Sequence, residues 1–99
     1  AAIAARVRKA REIQRERWAG TGFTCNAELP ERLVKRSLSL SPDVRPFLAS
    51  MAERLRLSGR GISRVLKVSR TIADLAGSRD VEVPHVAEAL AYRDGGEKR

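Results

Sequence analysis

A chain of 99 residues can form one small domain with a single modest core. Hydrophobic residues make up 42% and only 4% are aromatic, so aliphatic side chains must fill that core, which suits a helical bundle. The net charge of +8 favours an anionic partner. A nucleotide, a nucleic acid or an acidic protein surface would fit, although a solvated basic surface gives the same count.

Single cysteine and histidine residues exclude several classes of site. Cys25 cannot form an internal disulfide, and with His85 alone there is no Cys/His cluster to bind a metal. Both features are typical of a reduced intracellular compartment. No apolar run approaches the roughly 20 residues of a membrane span, and no signal peptide is visible. We therefore expect a cytoplasmic protein with no membrane partner.

The first residues already follow a helical pattern. Ala1 opens the chain without an initiator Met, so we expect a fragment of a longer protein, with N-terminal processing as the alternative. Residues 2–18 are predicted to be a helix whose other faces are basic. Such a helix suits DNA or a membrane surface, or it is a solvated helix packed on one side. Its apolar side holds Ile3, Val7, Ala10 and Gln14; Arg8, Lys9, Arg11 and Arg15, with Lys67 further along, are the candidates for nucleic-acid or subunit contacts.

Two further helices are predicted before residue 57. Gly20 and Gly22 end the first helix, and Asn26 can start a turn in the following loop. Pro30 suits the first turn of a short second helix. The third helix begins at Asp43, because a proline at position 46 is tolerated only in a first turn. The residues expected to be buried are Leu33, Val34 and Leu38 in the second helix, and Val44, Phe47, Leu48, Met51 and Leu55 in the third.

Residues 57–77 form the most informative segment, a fourth helix that is strongly amphipathic. Ser58 can cap its start, and Gly77 can close its end in the left-handed conformation. Gly59 and Gly61 flank Arg60, and we expect them to let the backbone turn there. The apolar stripe is Ile62, Val65, Leu66, Ser69, Ile72, Ala73 and Ala76; the polar face is Arg60, Arg64, Lys67, Thr71 and Asp74.

The last part of the chain completes an all-α bundle of four to five helices. Residues 80–83 are predicted to be extended, and Pro84 opens the fifth helix, which buries Val86, Ala89 and Leu90. Residues 1–94 form one domain, and residues 95–99 are expected to be a disordered tail. No strand pattern of useful length, repeat or internal boundary is visible.

The chemistry of an independent enzyme is absent from the sequence. There is no glycine-rich phosphate loop of the GxxxxGK[ST] type and no acidic run after an apolar strand to bind magnesium. A single histidine leaves no Ser/His/Asp or Cys/His arrangement. We expect the isolated domain to be no enzyme, with no catalytic residue, metal or cofactor of its own.

Several segments together resemble a known module. They are residues 7–17, Asn26 followed by Leu29, residues 57–61 continuing into 64–75, and residues 85–93. This set is similar to the C-terminal domain of magnesium-chelatase-like AAA+ ATPases, in the competence-associated bacterial branch. The resemblance covers nearly the whole chain, and residues 57–75 are its most specific part.

The resemblance implies a role for this domain and for one arginine. In that family the domain is the helical lid that follows an αβ subdomain with the Walker motifs. An arginine called sensor 2, at the start of a lid helix, contacts the γ-phosphate of ATP. Ser58-Gly59-Arg60 matches its S-x-R pattern, which assigns the role to Arg60, with Arg64 as the alternative. A surface arginine near a helix start is the simpler interpretation, but its charge would oppose the helix dipole.

The resemblance also implies the partners. They are ATP and Mg²⁺ bound in the parent protein, the αβ subdomain of the same chain and neighbouring subunits of a hexameric ring. Competence-associated members look like DNA branch-migration motors, whereas true chelatases insert magnesium into porphyrin. The basic first helix suits the DNA branch slightly better.

Two other functional classes stay open. Residues 41–77 loosely resemble a helix-turn-helix, so a free-standing basic DNA-binding domain is the first rival, although Arg60 and Ser63 are almost the only residues there suited to base edges. Salt-dependent DNA binding by the isolated domain would favour that rival. A structural adaptor for a protein partner is the second. A Walker A motif before Ala1 would decide for the ATPase.

Overall fold

The computed structural model describes residues 2–23, 25–30, 33–34 and 38–97. Within them the chain forms four α-helices and one short 3-10 turn, with no β-strand. This confirms the all-α class. The helices are α1 (Ala2–Arg17), α2 (Val44–Leu55), α3 (Gly59–Ala76) and α4 (Val83–Glu97), and the 3-10 turn is Asn26–Glu28.

Helix α3 is the centre of the bundle, because α1, the 3-10 turn and α4 all pack against it. Both of its ends follow the sequence signals. The Ser58 side chain accepts a hydrogen bond from the backbone N–H of Gly61 at 3.1 Å. Gly77 has φ +74°, and the N–H of Ser78 reaches the carbonyl of Ala73 at 2.8 Å, which closes the helix in the left-handed glycine conformation.

The core lies between α3 and the elements around it. Leu66, Val44, Leu48 and Leu90 are buried as expected. Six other expected core residues are only partly buried, although they still pack against the core: Leu33, Phe47, Met51, Leu55, Ile62 and Ile72. Trp18 is buried under the end of α1, while the apolar side predicted for this helix is incomplete, since Ile3 is 76% exposed.

One isolated parallel bridge joins the connection before α2 to the short connection before α4. It joins Leu40 to Val81. The N–H of Ser41 donates to the carbonyl of Val81 at 2.8 Å, and the N–H of Val81 donates to the carbonyl of Ser39 at 2.7 Å. The predicted extended piece before α4 is therefore held in place, so α4 starts at a fixed point beside α3.

Some sequence expectations differ from the structure or fall outside it. Most of the short helix after Pro30 lies outside the described residues, although Leu33 and Val34 are helical and Val34 is fully buried. Helix α4 extends to Glu97, into the segment predicted to be a disordered tail. The two glycines there disfavour a helix but do not forbid it.

The glycines around Arg60 do not make the turn expected of them. Neither Gly59 nor Gly61 has a positive φ; both belong to α3. The sharp turn between α2 and α3 lies earlier, at Arg56, with φ 54° and ψ 49°. The N–H of Leu57 reaches the carbonyl of Ala52 at 2.9 Å there, so an arginine occupies the helix-closing position that glycine usually takes.

Candidate functional site

A groove of about 680 Å³ opens at the start of α3. The α2–α3 turn and the first turns of α3 form one wall, and α4 contributes the other. The arginine side chains that line it are Arg56, Arg60 and Arg64. Its apolar lining includes Val65, Val68, Ala89 and Tyr92.

Both candidates for the sensor arginine line this groove. Arg60 is the second residue of α3 and Arg64 lies one turn further along, so the two guanidinium groups project from the same side of one helix. Both are exposed. The structure therefore brings Arg60 and Arg64 together and does not choose between them.

The third arginine, Arg56, was missed by the sequence reasoning. It is exposed and follows the last residue of α2. A signal was present, since Arg56, Arg60 and Arg64 recur at intervals of four. Because a helix end lies between the first two, that spacing alone could not place them on one surface; the left-handed turn at Arg56 does so.

The groove is electrostatically one-sided. No Asp or Glu is among the lining residues that the structure describes, although the hydroxyl of the groove-lining Tyr92 donates to Glu88 Oε2 at 2.8 Å. Within the described part of the chain, neither Arg56, Arg60 nor Arg64 forms an ion pair or a side-chain hydrogen bond. The N-terminus of α3 adds the positive end of its dipole. Because three positive charges line this groove, it is a favourable place for an anion to bind.

The opposite end of α3 carries a second arginine cluster with the reverse character. Asp74 is 3% exposed and Arg70 is 1% exposed. Arg70 donates from Nε to Asp74 Oδ1 at 3.2 Å, and its other nitrogens reach the carbonyls of Ser78 and Arg79. Arg17 of α1 binds both carboxylate oxygens of Asp74, at 3.0 and 2.8 Å. Asp74 belongs to the polar face predicted for α3, and there it is buried by its partners.

These contacts change the ionisation of both partners in the buried pair. Burial alone would raise the pKa of Asp74, but hydrogen bonds from Arg17 and Asn26 and the charge of Arg70 together hold that pKa below its ordinary value. Burial lowers the pKa of Arg70, against the opposing charge of Asp74. Arginine nevertheless stays charged, so the cluster is a structural tie in which two guanidinium groups share one buried carboxylate.

Asn26 completes the tie between α1 and α3. Its side-chain oxygen accepts from Trp18 Nε1 at 2.9 Å and from Arg17 at 3.1 Å. Its side-chain nitrogen donates to Asp74 at 3.1 Å and to Thr71 at 3.1 Å. The buried side-chain amide of Asn26 thus uses both its oxygen and its nitrogen to bind neighbouring elements.

The remaining sequence candidates lie away from the groove. Arg8, Lys9, Arg11 and Arg15 are exposed along α1, and Lys67 is half-buried on α3. The lone His85 has a local role: its Nδ1 accepts from the backbone N–H of Glu82 at 2.9 Å, which caps the start of α4.

In the residues that the structure describes, no three His, Cys, Asp or Glu side chains are arranged to bind a metal ion. Over the same residues, every helix is too short or too polar to cross a membrane.

The family described as magnesium chelatase, subunit ChlI C-terminal, matches residues 1–93. The chain belongs to this family. It is 45% identical over 93 residues to the competence protein ComM of Haemophilus influenzae, a match that covers 94% of the chain and 18% of that relative. An uncharacterized protein of Mycobacterium tuberculosis is 38% identical over 94 residues, covering 95% of the chain and 19% of the relative. The uncharacterized protein YifB of Salmonella typhimurium is 37% identical over 68 residues, covering 69% and 13%.

These matches confirm the resemblance to the C-terminal helical domain of magnesium-chelatase-like AAA+ ATPases and to their competence-associated branch. The chain spans less than a fifth of the length of these relatives. No solved structure matches the chain significantly.

Proposed function

We propose that this domain is the lid of a AAA+ ATPase and that Arg60 is its sensor-2 arginine, which contacts the γ-phosphate of ATP. The observation that carries the proposal is the groove at the start of α3, which three arginines line and whose described lining includes no carboxylate. The family match, which places the chain among magnesium-chelatase C-terminal domains, supports the same assignment.

The chemistry of the groove fits a polyphosphate. A guanidinium group offers a planar fork of donors and keeps its charge at any relevant pH. Arg60 sits at the N-terminus of α3, where its charge opposes the helix dipole; an anion in the groove removes that conflict. ATP binding then pulls the lid toward the phosphate, and loss of the γ-phosphate releases it, so that hydrolysis becomes a movement of this rigid domain.

The described lining of the groove does not fit Mg²⁺, because it includes no carboxylate. On this proposal, catalysis lies outside these 99 residues. Mg²⁺ and the groups that activate water would therefore belong to the αβ subdomain of the same chain. Neighbouring subunits of a hexameric ring are the other proposed protein partners.

The proposed parent protein is a cytoplasmic DNA-remodelling motor of the branch-migration type. Two observations support DNA over porphyrin as its substrate. The relative with 45% identity is a competence protein, and the exposed row Arg8, Lys9, Arg11 and Arg15 on α1 presents cations of the kind that contact a phosphate backbone.

The test is ATP hydrolysis by the longer protein that contains this domain. Arg60→Ala removes a charge-assisted bond formed only in the closed state, so hydrolysis should fall by at least tenfold, as expected for the loss of about 1.5–3 kcal/mol. Arg60→Lys should rescue poorly, because lysine lacks the fork. The 99-residue domain alone should not hydrolyse ATP.

Arg64→Ala is the matched control, one turn along the same helix and lining the same groove. If Arg64→Ala abolishes hydrolysis while Arg60→Ala leaves it intact, the sensor is Arg64. If neither change affects hydrolysis, the proposed role of this groove is wrong.

A further inference from the structure

We infer that Arg56 is a second phosphate-binding arginine, which binds the polyphosphate of a nucleoside triphosphate in the same groove as Arg60. The inference rests on the proposed function, since it adds a residue to the same groove. It assigns a ligand contact to the turn between α2 and α3, a segment to which neither the family match nor the sequence pattern gives a role.

The position of Arg56 in the groove supports its assignment as a phosphate ligand. Arg56 lines the groove together with Arg60 and Arg64, but it does so from another element, because it closes α2 while the other two belong to α3. Guanidinium groups held by two different elements can contact different oxygens of one polyphosphate. Two arginines on a single helix face approach the ligand from only one direction.

The backbone conformation of Arg56 is unfavourable for a non-glycine residue, and no neighbouring contact among the described residues compensates for it. Among the described residues it is the one non-glycine residue with a positive φ, in a position where glycine would be at lower energy. Its side chain is exposed and forms no ion pair or hydrogen bond within the described chain. No contact inside the domain accounts for an arginine there.

The compactness of the site favours a polyphosphate over a nucleic-acid strand. Three cationic side chains converge on one groove, which matches the dense charge of a triphosphate. A strand carries its charges one per nucleotide and is usually bound by an extended row of cations along a channel. Such a row lies instead on α1, outside the groove.

The test is the affinity of the 99-residue chain for inorganic tripolyphosphate, for ATP and for a short single-stranded oligonucleotide, measured by isothermal titration calorimetry. Arg56→Gly removes the guanidinium group and places the preferred residue at a positive φ, so the variant should melt at the same or a higher temperature than the parent. We expect it to bind tripolyphosphate and ATP about tenfold more weakly, the lower end of the range for a lost charge-assisted bond.

Arg54→Ala is the matched control. It removes one exposed positive charge from the last turn of α2, two residues from Arg56 and outside the groove lining. Its affinity for tripolyphosphate should change by less than about twofold, as expected for a screened surface charge. Arg56→Lys should restore only part of the binding.

The outcomes separate this inference from the proposed function. If Arg60→Ala weakens binding and Arg56→Gly does not, the role of Arg56 is wrong while that of Arg60 stands. If Arg56→Gly weakens binding and Arg60→Ala does not, Arg56 is a phosphate ligand and the sensor assignment falls. An Arg56→Gly effect equal to that of Arg54→Ala, or one seen only with the oligonucleotide, would overturn the inference.

Discussion

Helix α3 carries two arginine clusters of opposite character. At its C-terminal end, Arg70 and Arg17 surround a buried carboxylate, and every charge has a partner. At its N-terminal end, Arg60 and its neighbours line an open groove that has no carboxylate among its described lining residues. Fourteen residues separate Arg60 from Asp74, which is about 21 Å along a helix that rises about 1.5 Å per residue.

Residue type alone does not distinguish an arginine that holds the fold together from one that is available to a ligand. Burial of a charge is tolerated only when it is paired and hydrogen-bonded, so the Asp74 cluster is committed to holding α1 on α3. Exposed cations without a partner cost the fold little and leave their donors for a ligand. The charges at the C-terminal end of α3 are therefore paired, whereas the arginines at its N-terminal end have no partner among the described residues.

The largest expected effect comes from a substitution that breaks the buried ion pairs of Asp74. Asp74→Ala leaves Arg70 buried without its carboxylate and removes the anchor of Arg17. The free energy of unfolding should fall by about 3–5 kcal/mol, as for other broken buried pairs. Arg60→Ala should change it by less than about 0.5 kcal/mol. Urea denaturation of both variants measures the difference; equal stabilities would remove the distinction between the two ends.

The pH dependence of stability sharpens the same point. The pKa of Asp74 is lower in the folded chain than its ordinary value, so its stabilising contribution is fully present above the unfolded pKa of about 3.9. The contribution is lost as the pH falls through the lower, folded pKa. The stability gap between the parent chain and Asp74→Asn should therefore be constant near neutral pH and shrink below about pH 4. A gap that persists unchanged in acid would show that the charge of Asp74 is not what matters.

The smallest expected effects compare glycines at the two ends. Gly77 has φ +74°, so Gly77→Ala should destabilise the chain by about 1 kcal/mol. Gly61 is helical, and an added methyl group would meet Ser58 Oγ at an ordinary 3.5 Å. Gly61→Ala should therefore stabilise the chain by about 0.5–1 kcal/mol. Thermal unfolding of both variants checks the opposite signs; a loss of stability in Gly61→Ala would restore a conformational need for glycine beside Arg60.

The sequence predicted those parts of the fold whose signals are local. Ser58 and Gly77 mark the ends of α3 because a cap needs only a few neighbouring residues. Pro46 and Pro84 likewise set the starts of α2 and α4 to within about one residue, the usual uncertainty of helix ends. The family resemblance, carried mainly by residues 57–75, supplied the lid and the candidate arginine.

Features that depend on distant elements could not be predicted in the same way. Asp74 and Arg70 are four residues apart, a spacing typical of an exposed helical pair; only the arrival of Arg17 and Asn26 from the first third of the chain buries them. Arg56 gave no sign of closing a helix, because glycine is the residue that usually marks such an end. Its place in the groove follows from the turn itself.

The most direct test is a two-dimensional amide NMR spectrum of the 99-residue chain during a titration with tripolyphosphate. We predict that the amide signals of residues 56–64 shift progressively, while those around Arg70 and Asp74 stay in place. Shifts centred on α1 or on the Asp74 cluster, with residues 56–64 unchanged, would contradict the assignment of the unpaired arginines to an anion site.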